Sequence, residues 1–182
     1  MFSAKQRKDL LDFAAAVIKN RLDGSQYNIP QDDVFQVRRG IFVSLHKHGE
    51  LRGCIGYIQP YKKIVDSVRE MALAAAFRDP RFRPLTLKEF GDIQIEISIL
   101  TELEPITDVE RIEIGADGLY LEHPDGSGLL LPQVAVEWNW DRLEFLTHLC
   151  RKAGLADGAY KDSQAQLYRF GAEIFANANV LD

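Results

Sequence analysis

The sequence predicts a fold that mixes α-helices with antiparallel strands, and three observations carry that reading. Near the start, Leu10, Phe13, Ala14, Val17 and Ile18 recur at the spacing of one helix face. Residues 40–47 and 51–58 are two β-like runs separated by His48-Gly49, the form of a hairpin. In Ile93-Gln94-Ile95-Glu96-Ile97-Ser98-Ile99, four isoleucines alternate strictly with three polar residues, as in a strand with one core face. A length of 182 residues leaves room for one large domain or two small lobes.

Taken in order, Ser3 caps the first helix and Asp23-Gly24 ends it. With a two-residue hairpin loop, Lys47 pairs with Glu50, Leu45 with Arg52 and Val43 with Cys54. Arg52 and Cys54 then share one face wherever that strand is regular, and His46 takes the other. Pro60 opens a second helix with an apolar stripe of Tyr61, Ile64, Val65, Val68, Met71, Ala72 and Ala75, stopped at Arg78-Asp79-Pro80. Residues 79–85 hold two prolines and alternating cations, so they form a loop of fixed shape. Thr86-Leu87-Lys88-Glu89 has the capping-box pattern of a short helix ended by Gly91. Residues 111–114, 118–123 and 128–131 read as a small antiparallel meander with turns between them. Asp141 caps a helix bearing Leu143, Leu146, Leu149, Cys150 and Ala153. From Leu167 to Ile174 the pattern fits strand or helix, and Gly171 with the strict alternation favours strand.

Composition excludes several function classes. No run approaches the roughly 18 to 20 apolar residues of a membrane span, and the first residues lack a signal-peptide core, so a cytoplasmic protein is expected. The two cysteines form neither a disulfide framework nor a Cys-x-x-Cys pair, so reduced thiols are expected, with no bound cofactor or metal. A net charge of −5 argues against broad nucleic-acid binding.

Chemistry concentrates in Leu51-Arg52-Gly53-Cys54-Ile55-Gly56. Two glycines inside a strand suggest close approach or a bend, and a fixed cation near a thiol favours the nucleophilic thiolate. A packing role is the alternative for Cys54, because cysteine often acts as a small hydrophobe. Cys150 reads as core.

This motif, residues 75–85 (Ala-Ala-Phe-Arg-Asp-Pro-Arg-Phe-Arg-Pro-Leu), Glu96-Ile97-Ser98-Ile99-Leu100 and residues 128–134 (Gly-Leu-Leu-Leu-Pro-Gln-Val) resemble, in order, the blocks of the AMMECR-one domain family. That family includes prokaryotic proteins called AmmeMemoRadiSam system protein A. The resemblance implies a single domain over residues 3–176, of class α+β, made of two unequal lobes. Each lobe is an antiparallel sheet flanked by helices, and the Leu-Arg-Gly-Cys-Ile-Gly motif faces the cleft between them. It also implies association with a Memo-like protein and a radical SAM enzyme in a modification or metabolic pathway. After Lys152-Ala153-Gly154-Leu155 the family often has a Trp, where this chain has Gly158-Ala159-Tyr160, so an aromatic plug there is kept only in part.

Two function classes follow. In the first the protein is an enzyme or its covalent carrier, with Cys54 as nucleophile, Arg52 as thiolate stabiliser, and His123 or Glu96 as acid/base partner. His123 borders the Pro124-Asp125-Gly126 turn and serves if the lobes close over the hairpin; His46, His48 and His148 are weaker choices. In the second the protein is a binding module for a peptide, an anionic small molecule or a partner protein. Gly53, Ile55 and Gly56 are then the approach surface, and Arg81 and Arg83 join Arg52 and Arg78 as anion-binding groups. A metal site from His46, His48 and Cys54 has suitable ligand types, but the turn takes His48 out of geometry.

Overall fold

The computed structural model describes residues 1–177, which form two compact units: residues 1–100 with 173–177, and Thr101–Ala172. Each unit contains a four-stranded antiparallel sheet. Among the described residues no helix is long and apolar enough to cross a membrane.

In the first unit, helix α1 (Ala4–Asp23) starts on a capping box in which Ser3 and Gln6 satisfy each other's backbone N–H, and it stops where Gly24 turns left-handed at φ 78°. Its expected stripe is the buried one. Strands β1 (Ile41–Lys47) and β2 (Glu50–Tyr57) form the hairpin, with His48 and Gly49 both at positive φ, as the tightest two-residue turn requires. Helix α2 (Ile64–Phe77) begins four residues later than Pro60 suggests. Tyr61 consequently lies outside the helix and is 65% exposed instead of joining the stripe. The capping box of Thr86 and Glu89 opens the short α3 (Leu87–Phe90). Strand β3 (Ile93–Leu100) buries all four isoleucines. With β8 (Ala172–Ala176) the sheet runs β2-β1-β3-β8, and one face packs on α1 and α2 through Ile41, Val43, Leu45, Ile95, Ile97 and their helix partners.

The second unit holds β4 (Glu104–Pro105), β5 (Gly118–His123), β6 (Gly126–Leu130) and β7 (Gln166–Phe170), with α4 (Pro132–Glu137) and α5 (Arg142–Lys152). The expected strand at 111–114 is absent: a 3₁₀ turn at Val109–Arg111 occupies its start, capped by the Asp108 carboxylate. An acceptor that satisfies local N–H groups lets the chain turn without a neighbouring strand. Helix α4 was not anticipated from the pattern. Leu146, Leu149 and Cys150 are buried as expected, whereas Leu143, in the first turn between the two capping-box residues, is 61% exposed. Tyr160 packs, partly buried, on this second core. The ambiguous last segment is two strands, β7 and β8 (Ala172–Ala176), and Gly171 is the break at which the chain passes from the second sheet to the first.

Candidate functional site

The hairpin register decides which way Cys54 faces. From the turn, Lys47 pairs with Glu50 and His46 with Leu51, as a two-residue loop demands. Then the register shifts: Leu45 pairs with Gly53, Ser44 with Cys54 and Val43 with Ile55, leaving Arg52 as an extra residue in β2. Because side chains alternate with period two, one inserted residue turns every later side chain to the opposite face. Cys54 therefore opposes Ser44 and not the buried Val43. This corrects the expected pairing of Arg52 with Leu45 and of Cys54 with Val43. It also places His46 on the same face as Cys54, since Phe42, Ser44 and His46 alternate with the core residues of β1. Gly53 and Ile55 face the helices instead. A Cβ on Gly53 would stand 2.2 Å from the Ala75 carbonyl oxygen of α2, so the close approach of the helix requires a residue without a side chain here. At Gly56 a Cβ would meet the Phe42 ring at 2.3 Å.

Cys54 is held by an ion pair from the 79–85 loop. Its N–H donates to Asp79 Oδ2 at 2.9 Å, and Arg81 Nη2 donates to its carbonyl oxygen at 3.1 Å. Arg81 in turn grips Asp79 through Nε at 3.0 Å and Nη2 at 2.7 Å, and its own N–H donates to Oδ1. The Asp79 side chain is 1% exposed. Arg81's hydrogen bond holds its carboxyl well below the usual carboxylate range, against the opposing effect of burial and with help from the Cys54 N–H. The thiol itself is half-buried and receives a hydrogen bond from Ser44 Oγ at 3.1 Å. The loop is further pinned by Phe82 N–H to the Asp79 carbonyl and Leu85 N–H to the Ala76 carbonyl. The loop expected from its two prolines thus lies next to Cys54.

Arg52 does not serve the thiol through any contact seen here. Its guanidinium reaches Glu89 at 3.3 Å through Nε and Nη2, donates to the Arg83 carbonyl at 2.9 Å and lies over the Phe82 ring at 5.9 Å. The bulge sends it toward α3. Its Nη1 is buried without a hydrogen-bond partner. Arg52, Arg81 and Arg83 line a shallow groove of about 550 Å³ together with Phe82, Thr86 and Glu89. Arg78 lies outside this lining.

Glu96 pairs across the sheet with Ser44, so Cys54, Ser44 and Glu96 stand in one row on three neighbouring strands. Strands about 4.8 Å apart put the Glu96 and Cys54 backbones roughly 10 Å from each other, with Ser44 between. His46 Nε2 is buried and lacks a hydrogen-bond partner. His123 belongs to the second unit, where Nδ1 accepts from Asp125 N–H and the ring lies 3.6 Å from the Asp125 carboxylate. His148 stacks on Trp140 at 3.8 Å, and His48 occupies the turn. Among the described residues no cluster of three His, Cys, Asp or Glu side chains is arranged to hold a metal.

The residues that sequence reasoning overlooked are Asp79 and Ser44. Asp79 was read as part of a helix stop. The available signal was an acid directly before a proline and two before an arginine, a spacing that lets one carboxylate bond a local N–H and guanidinium together. Ser44 interrupts the apolar run of residues 41–45 in β1.

A model of the AMMECR1 family matches residues 11–175. A protein of Methanothermobacter thermautotrophicus is 45% identical over 183 residues, covering 95% of this chain and 95% of the relative. Protein MJ0810 of Methanocaldococcus jannaschii is 45% identical over 172 residues, covering 90% of this chain and 86% of its own. The crystal structure of uncharacterized protein PH0010 from Pyrococcus horikoshii matches with a TM-score of 0.86 at 36% identity, covering 94% of this chain and 91% of that one.

Proposed function

We propose, from the premise that this chain belongs to the AMMECR1 family, that it is a thiol-dependent enzyme or the covalent carrier subunit of one, with Cys54 as its working residue. The observation that carries this reading is the clamp on Cys54. One ion pair holds both the N–H and the carbonyl of this residue, while the sulfur faces away from the helix-covered core with a hydroxyl donor on it. A cysteine that only fills space needs no such fixation. A nucleophile gains from it, because held geometry removes the entropy cost of aligning the attacking atom.

The roles differ from those expected. Arg81 replaces Arg52 as the cation tied to Cys54. Its guanidinium is held above its ordinary range, first by its hydrogen bond to Asp79, and the charge of an ionised Cys54 adds to that. Ser44 supplies a hydrogen bond to charge that develops on sulfur. Glu96 and His46 share the sheet face and are the acid/base groups of this reading, in preference to His123. A cytoplasmic pathway shared with a Memo-like protein and a radical SAM enzyme, which the resemblance implies, belongs to the same proposal.

The test is alkylation of the folded protein with iodoacetamide, followed by peptide mapping. Cys54 is expected to react first and Cys150, fully buried in the second core, only on unfolding. Equal or slower reaction at Cys54 ends the nucleophile reading.

A further inference from the structure

We infer that the groove between the 79–85 loop and α3 is an oxyanion-binding site, taking a phosphate or carboxylate group through Arg83 and Arg81. Three guanidinium groups and one carboxylate, that of Glu89, line it, in a chain whose net charge is −5. Gathering like charges in one place is unfavourable unless something offsets them, and two of the three are offset. Arg52 is bonded to Glu89, and Arg81 to Asp79, whose carboxylate lies buried behind the loop. The third cation is left over. Arg83 is exposed, and among the described residues its guanidinium has no hydrogen-bond or ion-pair partner.

The two neutralised arginines give the site shape. Arg81 engages Asp79 and Cys54 through Nε and Nη2 only, which leaves Nη1 unengaged. Arg52 and Arg81 both lie over the Phe82 ring, at 5.9 and 5.4 Å, so the ring fixes the spacing of the two guanidinium planes. The Arg83 backbone is fixed by the bond from Arg52 to its carbonyl. A site whose donors are held before the ligand arrives loses less entropy on binding. Planar guanidinium groups match the bidentate geometry of phosphate and carboxylate, which a lone ammonium does not. The site does not depend on thiol chemistry, although its Arg81 is the residue that clamps Cys54.

The experiment titrates the ¹⁵N-labelled full chain with inorganic phosphate in one arm and malonate in another, with sodium chloride at matched ionic strength as the control. Saturable shifts confined to the amides of residues 81–89, complete below about 10 mM ligand, are expected. Arg83→Gln, a change at an exposed side chain, should weaken the tighter ligand by about tenfold. Cys54→Ser should leave binding unchanged, so failure of the thiol reading does not imitate failure of this one. The tighter arm tells a phosphoryl ligand from a carboxylate. The same shifts with chloride, no saturation in either arm, or equal binding by Arg83→Gln would overturn the proposal.

Discussion

Asp79→Ala removes the acceptor of the Cys54 N–H and the anion that orients Arg81, and its cost follows from the geometry. A hydrogen bond to a charged acceptor contributes about 1.5–3 kcal/mol, and at Cys54 the donor sits on a half-buried strand with no second acceptor nearby in the clamp. The ion pair adds less. Arg81 is 54% exposed, so water takes over much of its solvation once the carboxylate is gone, and that part is discounted to about 1 kcal/mol or below. The sum is about 2–4 kcal/mol. For a chain of this size unfolding as one unit, each kcal/mol moves Tm by about 2–4 °C, so a fall of roughly 5–15 °C is expected. Scanning calorimetry measures it, and the alkylation rate of Cys54 is read in parallel, since a released strand should present the sulfur in more than one orientation. Asp79→Asn keeps an oxygen for the N–H and loses the charge, so it should fall between wild type and Asp79→Ala. A Tm shift below about 1 °C in Asp79→Ala, with an unchanged alkylation rate, would refute the clamp argument.

Two further outcomes are expected. Because Arg81 depresses the folded-state pKa of Asp79, the carboxylate's contribution is complete above its unfolded value of about 3.9 and is lost as pH falls through the folded value. The stability gap between wild type and Asp79→Asn should thus be flat from neutrality to about pH 5 and narrow below about pH 4, as read from urea midpoints across pH. Gly53→Ala places a Cβ against the Ala75 carbonyl, which as helix backbone yields only if α2 moves; about 1–3 kcal/mol of destabilisation is expected in urea unfolding, and a neutral result would contradict the close approach of β2 and α2.

Much of the fold and part of the site were legible in the residues, and the boundary between the two has a physical cause. Ser3 with Gln6, Thr86 with Glu89 and Asp141 with Glu144 are capping pairs three residues apart, so the helix starts they mark depend on local chemistry alone. The isoleucines of β3 and the His48-Gly49 turn are equally local signals, and the strands they predict are present. Helix α2 was legible in its stripe but not in its start: proline suits a first turn without compelling one, and Ile64 N–H instead bonds the Val37 carbonyl, a partner 27 positions away. The motif around Cys54 was legible as a place where chemistry gathers, and the resemblance it carries marked the family.

What the sequence by itself determined is the helix starts at Ser3, Thr86 and Asp141, the hairpin turn, the apolar faces of α1 and β3, the burial of Cys150 and the irregular loop at 79–85. Those follow from spacing, caps and prolines, whose effects act within a few residues. What only the tertiary structure decided is the direction of Cys54 and the identity of its cation. A bulge that leaves Arg52 unpaired in β2 is set by how β2 meets both β1 and α2, with Gly53 pressed against Ala75, and no short-range pattern reveals it. That single extra residue turns Cys54 from the helix-covered face to the face of Ser44, His46 and Glu96. It also sends Arg52 to Glu89, and leaves Arg81, 27 positions along the chain, to hold the cysteine in place.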